Sequence, residues 1–341
     1  MPRVRFLYLV VVSGKTRQSP ALMETPEPPP PDSSSTMPPG PPGPPPLEPT
    51  LTKLIVVSYE GGRDDGERYD TTADPATPGK AAFIGGHKYT GQFAAGMMHG
   101  QGKYEWADGT SYEGEFKWNV VDGKGKFVWP DGSTYEGEVK EGMRHGTGAF
   151  AGPGGAPAYS GEWYEGTRHG QGTLWYDLDK DCFYEGGWRG NNRHGEGRMR
   201  YKPTPTAVTS LTAGKPRKKT TGTKPAEGNL YVGGWANDQK NGRGTMEWFD
   251  RREKYTGQWE DDQQNGKGEH VWMDDRPEGG SLGTQKQMCN RYVGAWRGGV
   301  RHGVGTFYYA NGARYHGEWK ENAKEGYGVF TFEDGHVSCL F

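Results

Sequence analysis

Five histidines of this 341-residue chain, His99, His145, His169, His194 and His302, each stand directly before a Gly-x-Gly. Imidazoles recurring at one place invite a metal site, and Gly-x-Gly invites a dinucleotide cradle. Both fail on position. The same place holds Asp122, Asn241, Asn265 and Glu325 ahead of the same glycines, so the pattern supports a polar residue that stabilises a turn. If the copies are hairpins stacked in a sheet, successive histidines stand about 10 Å apart, whereas zinc ligands lie about 2.1 Å from their ion. The glycine pairs lack the strand-to-helix context of a nucleotide site, and GxxxxGK[ST] is absent. Glu113, Glu115, Glu136, Glu138 and Glu318 recur beside a tyrosine without converging as an acid and base pair. The sequence therefore offers no catalytic, cofactor-binding or metal-binding residue and no small-molecule substrate site; the expectation is a protein that is not an enzyme.

The histidines belong to a repeat. Counting from Tyr292 in YVGAWRGGVRHGVGTFYYANG, glycine stands at offsets 2, 11 and 13 and a large apolar residue at 4, 15 and 17. The frame reopens at Tyr89, Tyr112, Tyr135, Tyr159, Tyr184, Tyr231, Tyr255, Tyr292 and Tyr315, with all three glycines in every copy, as in Gly91, Gly100 and Gly102 or Gly294, Gly303 and Gly305. A period in the low twenties marks a quasi-one-dimensional array. Offsets 0, 2 and 4 share one face of a strand, as do 11, 13, 15 and 17, so each copy is a hairpin. Its internal turn is expected around offsets 6 to 10, and the connection to the next copy at Asp108-Gly109, Asp131-Gly132, Asn311-Gly312 and Asp334-Gly335. Interior glycine weakens a strand by roughly 0.5–1 kcal/mol, which predicts that aromatic rings of adjacent strands lie flat over the gaps. The fold expected is all-β, an elongated array of hairpins in a twisted single-layer antiparallel sheet or ribbon. Nine hairpins at about 4.8 Å per strand would run on the order of 85 Å.

Composition agrees: 57 glycines, 25 prolines and 32% hydrophobic residues argue against a thick core, while 12 Trp and 19 Tyr suit a thin one. Net charge is −2, with 41 basic and 43 acidic residues interspersed, so no field draws in nucleic acid. Cys182, Cys289 and Cys339 form neither a disulfide framework nor a CxxC site, and a reducing, cytoplasmic compartment is expected. The apolar run from Phe6 to Val12 after Arg3 and Arg5 is too short to span a bilayer. Residues 1–50 read as a disordered Pro-rich tail and 51–79 as a degenerate capping repeat. Residues 80–341 read as the array, with insert loops at 202–228 and 274–290. The last copy stops before another Tyr-x-Gly, so the array is expected to continue or to be covered there by another molecule.

The candidate partner-binding surface is the aromatic face: Tyr112, Phe116, Tyr135, Trp163, Trp188, Trp235, Trp259, Trp296 and Trp319. A basic tract from Lys215 to Lys224 reads as a solvated insertion.

The frame Tyr-x-Gly-x-Trp, then Gly, then His-Gly-x-Gly, resembles the MORN repeat. LTKLIVVSYEG at Leu51, MHGQGKYEWADG at Met98, WPDGSTYEGEVKEGMRHG at Trp129, RHGEGRMR at Arg193 and FYYANGARYHGEW at Phe307 resemble the radial spoke head 10 homologue B family of ciliary axonemes. That resemblance implies a non-catalytic structural subunit of the cilium or flagellum that docks other axonemal and radial spoke proteins and supports motility. It brings no cofactor. MORN arrays also occur in proteins that resemble membrane tethers; near-neutral charge and the lack of a lipidation signal argue against a membrane partner here.

Overall fold

The structure is a computed structural model that describes residues 56–63, 69–203, 228–273 and 289–340. The Pro-rich tail, the tract from Lys215 to Lys224 and most of both insertions lie outside the described residues. Twenty-one strands form one antiparallel sheet, in which each strand pairs with its neighbours in sequence. Nine hairpins such as β3 (Lys88–Ala94) with β4 (Met97–Glu105) stand between an entry pair, β1 (Val56–Glu60) and β2 (Gly79–Phe83), and the last strand, β21 (Val337–Leu340).

The hairpin turn is tighter than expected. It occupies offsets 6 and 7 alone, and both residues have positive φ, as at Ala95 (50°) and Gly96 (82°) or Glu321 (50°) and Asn322 (69°). That is the geometry of a two-residue turn whose twist matches the strands it joins. Offsets 8 to 10 therefore belong to the second strand, and the histidines lie on that strand, not in the turn. Directly after each histidine the register slips: Phe93 faces Met98 and Gly91 faces Gly102, leaving a bulge at Gly100. Its φ of 70° explains why that offset is always glycine.

Alternation along β3 buries Tyr89, Gly91 and Phe93 on one face and leaves Lys88, Thr90 and Gln92 on the other. Each tyrosine ring lies across the glycine pair of its own hairpin. A Cβ added at Gly148 would stand 2.3 Å from Tyr135 Oη. In all nine copies the hydroxyl donates to the carbonyl three residues on, as Tyr135 to Glu138 at 2.7 Å and Tyr292 to Ala295 at 2.9 Å. Rings do lie over the gaps, but each belongs to the tyrosine that opens the copy and covers the glycine of its own strand as well as that of the adjacent one, as Tyr89 does at Gly91 and Gly102.

The entry pair repeats this device. Tyr59 donates to Gly62 O at 2.7 Å, and its hydroxyl is where a Cβ on Gly61 or Gly79 would fall, at 2.7 and 2.8 Å. The entry pair is thus a partial copy of the same device, with its second strand, Gly79–Phe83, displaced along the sequence.

Gly148→Ala is expected to cost about 3 kcal/mol by overpacking beneath Tyr135. Gly166→Ala, at φ 80° with nothing within 4 Å, is expected to cost about 1 kcal/mol of backbone strain. Urea unfolding of both variants checks this ordering; equal losses would contradict the packing account.

Candidate interaction surfaces

The structure corrects the aromatic face. Tyr112, Phe116, Tyr135, Trp163, Trp188, Trp235, Trp259, Trp296 and Trp319 are 0–5% exposed. The indoles and tyrosines pack on one another. Each Trp meets its own tyrosine and that of the preceding copy edge to face, as Trp188 does with Tyr184 at 5.1 Å and Tyr159 at 5.5 Å. Each indole Nε1 donates to the glycine carbonyl of the copy before, Trp163 to Gly148 at 3.0 Å and Trp319 to Gly305 at 3.2 Å. Rings spent in this way leave no exposed area for a partner to meet.

A second column was missed in the sequence because it looks like surface. The residue at offset 9, just before the histidine position, is Arg144, Arg168, Arg193, Lys240 or Arg301 in five copies, and each is buried. The cation lies over the Trp of the next copy, with Arg193 4.3 Å from the Trp235 ring centre and Arg301 4.8 Å from that of Trp319. The turn of that next copy completes the cage. Asn322 Oδ1 accepts from Arg301 N at 3.0 Å and Nε at 3.2 Å, while Nη2 donates to Asn322 O at 3.3 Å. Asp238 holds Arg193 in the same way at 2.8, 3.0 and 2.7 Å. Burial pushes the Arg144 and Arg301 guanidiniums down to about 10, so both remain charged at neutral pH. The only sequence signal was the offset itself, where a charged residue shares the strand parity of the buried rings.

The histidines come no closer to a site. Tyr164 stands between His145 and His169, with ring centres 5.3 and 5.7 Å away, and His99 lies 4.4 Å from Trp118. Among the described residues no group of three or more His, Cys, Asp or Glu could hold a metal ion. Gly91 faces Gly102 and Gly294 faces Gly305 beneath Tyr89 and Tyr292, while Gly100 and Gly303 form bulges.

What remains accessible is the face opposite the rings. Register places Lys103, Glu113, Lys126 and Glu136 side by side on successive strands, an alternating ladder in which Lys126 pairs with Glu136 at 3.7 Å. Toward the last copies apolar residues join this face, with Val293, Val304, Val329 and Tyr327 exposed, Tyr327 at 69%, beside the exposed His316 and Glu318. The frame is constant and this face is not.

A family model described as MORN repeat matches nine segments: residues 89–111, 112–134, 135–156, 159–178, 184–203, 231–251, 255–275, 292–314 and 315–337. The chain belongs to the MORN repeat family. Each MORN copy so matched opens on the tyrosine that covers the glycine pair. Similar solved structures include the TCP domain of SAS-4 (dCPAP) of Drosophila melanogaster in complex with a proline-rich motif of Ana2 (dSTIL). Its identity is 7%, covering 71% of this chain and 84% of that one, with a TM-score of 0.19. Another is selenomethionine-substituted virginiamycin B lyase from Staphylococcus aureus, 7% identical over 76% and 82% with a TM-score of 0.13. Overlaps this low bear on neither fold nor function.

One MORN copy departs inside. Offset 15 is apolar elsewhere, but His270 holds it here, 2% exposed, stacked on Trp272 at 4.2 Å and bonded to Glu253 at 3.1 Å. Desolvation depresses its pKa against the opposing pull of Glu253, and Arg301 depresses it further. A depressed folded-state pKa means the unfolded chain binds the proton first, so stability is complete above the unfolded value of about 6.5 and falls as pH drops below it. Between pH 7.5 and 5.5 the urea midpoint should therefore decline, and less so in His270→Phe, which installs the residue native at Phe127 and Phe307; identical slopes would contradict this.

The cage gives a second test. Glycine already fills the Asn322 position in other copies, at Gly142 and Gly299, so Asn322→Gly removes the side-chain bonds without straining the turn. The expected loss is about 1–2 kcal/mol, and a double-mutant cycle with Arg301→Met should give a coupling of about 1 kcal/mol. Additive losses would sink the cage.

Proposed function

We propose that this protein is a non-catalytic scaffold that docks other proteins on the exposed face and edges of its sheet. The observation that carries this reading is the division between the two faces. One is spent on the same ring, glycine and cation device in copy after copy, and the other changes residue by residue on that rigid frame. A constant frame with a varying surface can present different addresses to different partners along one array.

The finer reading is a radial spoke head component of the ciliary or flagellar axoneme, holding neighbouring spoke proteins and supporting motility. Its support is the resemblance of the stretches at Leu51, Met98, Trp129, Arg193 and Phe307. A membrane tether is the rival. Against it stands the exposed ladder of alternating Lys and Glu, which cancels its own field, since attraction to anionic headgroups needs clustered cations.

Tagged full-length chain expressed in a multiciliated cell, followed by cross-linking mass spectrometry of isolated axonemes, tests this directly. The expected outcome is axonemal signal with cross-links from exposed lysines such as Lys103 and Lys126 to spoke proteins. Signal confined to membranes, or flotation with anionic liposomes that falls steeply with salt, would overturn it.

A further inference from the structure

The edge of the sheet formed by the turns between copies has a chemistry of its own. The first turns leave the buried Phe83, Trp106, Trp129 and Gly152, the turn after the fourth copy leaves the half-buried Tyr176, and exposed apolar residues follow. From the entry pair to the fourth copy these are Ile84, Ala107, Pro130, Pro153 and Leu178, all exposed, Ile84 at 61% and Leu178 at 68%. Neighbouring turns approach one another at three of the four steps. A Cβ on Gly86 would stand 3.5 Å from Ala107 Cβ, one on Gly109 3.6 Å from Pro130 Cγ, and one on Gly155 3.3 Å from Leu178 Cδ2, with open space at Gly132. One exposed apolar residue per turn thus lines this edge.

Carboxylates flank it. Asp108 Oδ1 accepts from Thr110 N at 2.8 Å, and Asp131 Oδ1 from Ser133 N at 2.9 Å and Oγ at 2.6 Å. Those bonds fix the side chains and hold the fully exposed Asp131 carboxyl below the usual range. Asp177, Asp179 and Asp181 neighbour Leu178 in sequence, Asp177 Oδ1 accepting from Asp181 N at 3.1 Å and Cys182 N at 3.4 Å, while the Lys180 ammonium lies over the Trp175 ring at 4.9 Å.

We propose that this edge is a docking rail for a basic amphipathic α-helix of a partner protein. Two strands per copy set the step at about 9.6 Å, and seven helical residues advance about 10.5 Å, so one heptad matches one turn. Each heptad offers two apolar positions for the exposed apolar residues and flanking positions for lysine or arginine opposite the aspartates. A polyproline helix advances about 9.3 Å per three residues, but only one of the three faces the edge, which cannot satisfy an apolar spot and a carboxylate together. Anionic lipid is repelled by the same carboxylates. This inference rests on the protein-docking reading and gives one of its partners a chemistry.

The test is fluorescence anisotropy on the purified full chain with a labelled helical peptide of about four heptads, leucine at a and d and lysine at e and g. The same peptide with glutamate at e and g, a Pro-Pro-Lys repeat and phosphatidylserine vesicles serve as rival probes. The lysine helix is expected to bind, and Ile84→Asp with Leu178→Asp to weaken it about tenfold or more. Asp108→Asn with Asp131→Asn should weaken it several-fold with the turns intact, because Asn311 already fills this position and accepts from Ala313 N at 3.1 Å. Equal binding of the glutamate helix, preference for either of the other probes, failure of the lysine helix to bind, or wild-type affinity in both variants would overturn the rail. Axonemal cross-links arising elsewhere on the sheet would then leave the scaffold reading standing.

Discussion

A phenol ring lying flat on two glycines is the contact on which the rest of this sheet depends. Each strand glycine costs roughly 0.5–1 kcal/mol, yet a buried tyrosine removes on the order of 150–250 Å² from water, about 4–6 kcal/mol gross at 25 cal/mol per Å². The ring wins, provided its hydroxyl is satisfied, and the carbonyl three residues along does so in every copy. A single layer can therefore bury side chains almost completely without a second layer on top. The next Trp then stands edge-on to that ring and closes it off from one side.

Copies are held to one another by a different kind of bond. A buried guanidinium costs several kcal/mol in desolvation, and here three compensations meet it: an indole face, a turn carbonyl and the Asn or Asp side chain beside it. The N–H of each turn also reaches back to the carbonyl of the offset 9 residue, Asn322 to Arg301 at 3.1 Å and Gly166 to Arg144 at 2.9 Å. Slipping one copy by a residue would pull the cation off its indole and strand it, so the arrangement selects one register of stacking.

Much of this was legible in the sequence, because glycine and tyrosine at fixed offsets have few alternative explanations. The hairpins, their Asp-Gly connections and the ring-over-glycine packing follow from parity and sterics alone. Three features did not. Arg144, Arg193 and Arg301 carried no signal beyond their offset, because a sequence does not reveal that the following copy brings an indole over them. The two-residue turns were hidden because positive φ falls on Trp118, Glu141 and Glu165, residues without a turn signature. Exposure of the aromatic face was overestimated, since whether Trp163 faces solvent or Tyr159 depends on the twist between neighbouring hairpins. The entry copy was half seen, its Gly79–Phe83 strand being separated from Tyr59 by a non-repeating stretch.

The interior is a chain of couplings, each copy closed by the next, while the other face and the turn edge stay exposed. Native-state hydrogen exchange of the intact protein, read by mass spectrometry copy by copy, tests that claim most directly. Coupled copies predict that amides beneath Tyr159, Tyr184 and Tyr231 open together in one cooperative unit, with protection falling only toward the ends of the array. Copies that exchange independently, with the middle no better protected than the ends, would contradict it.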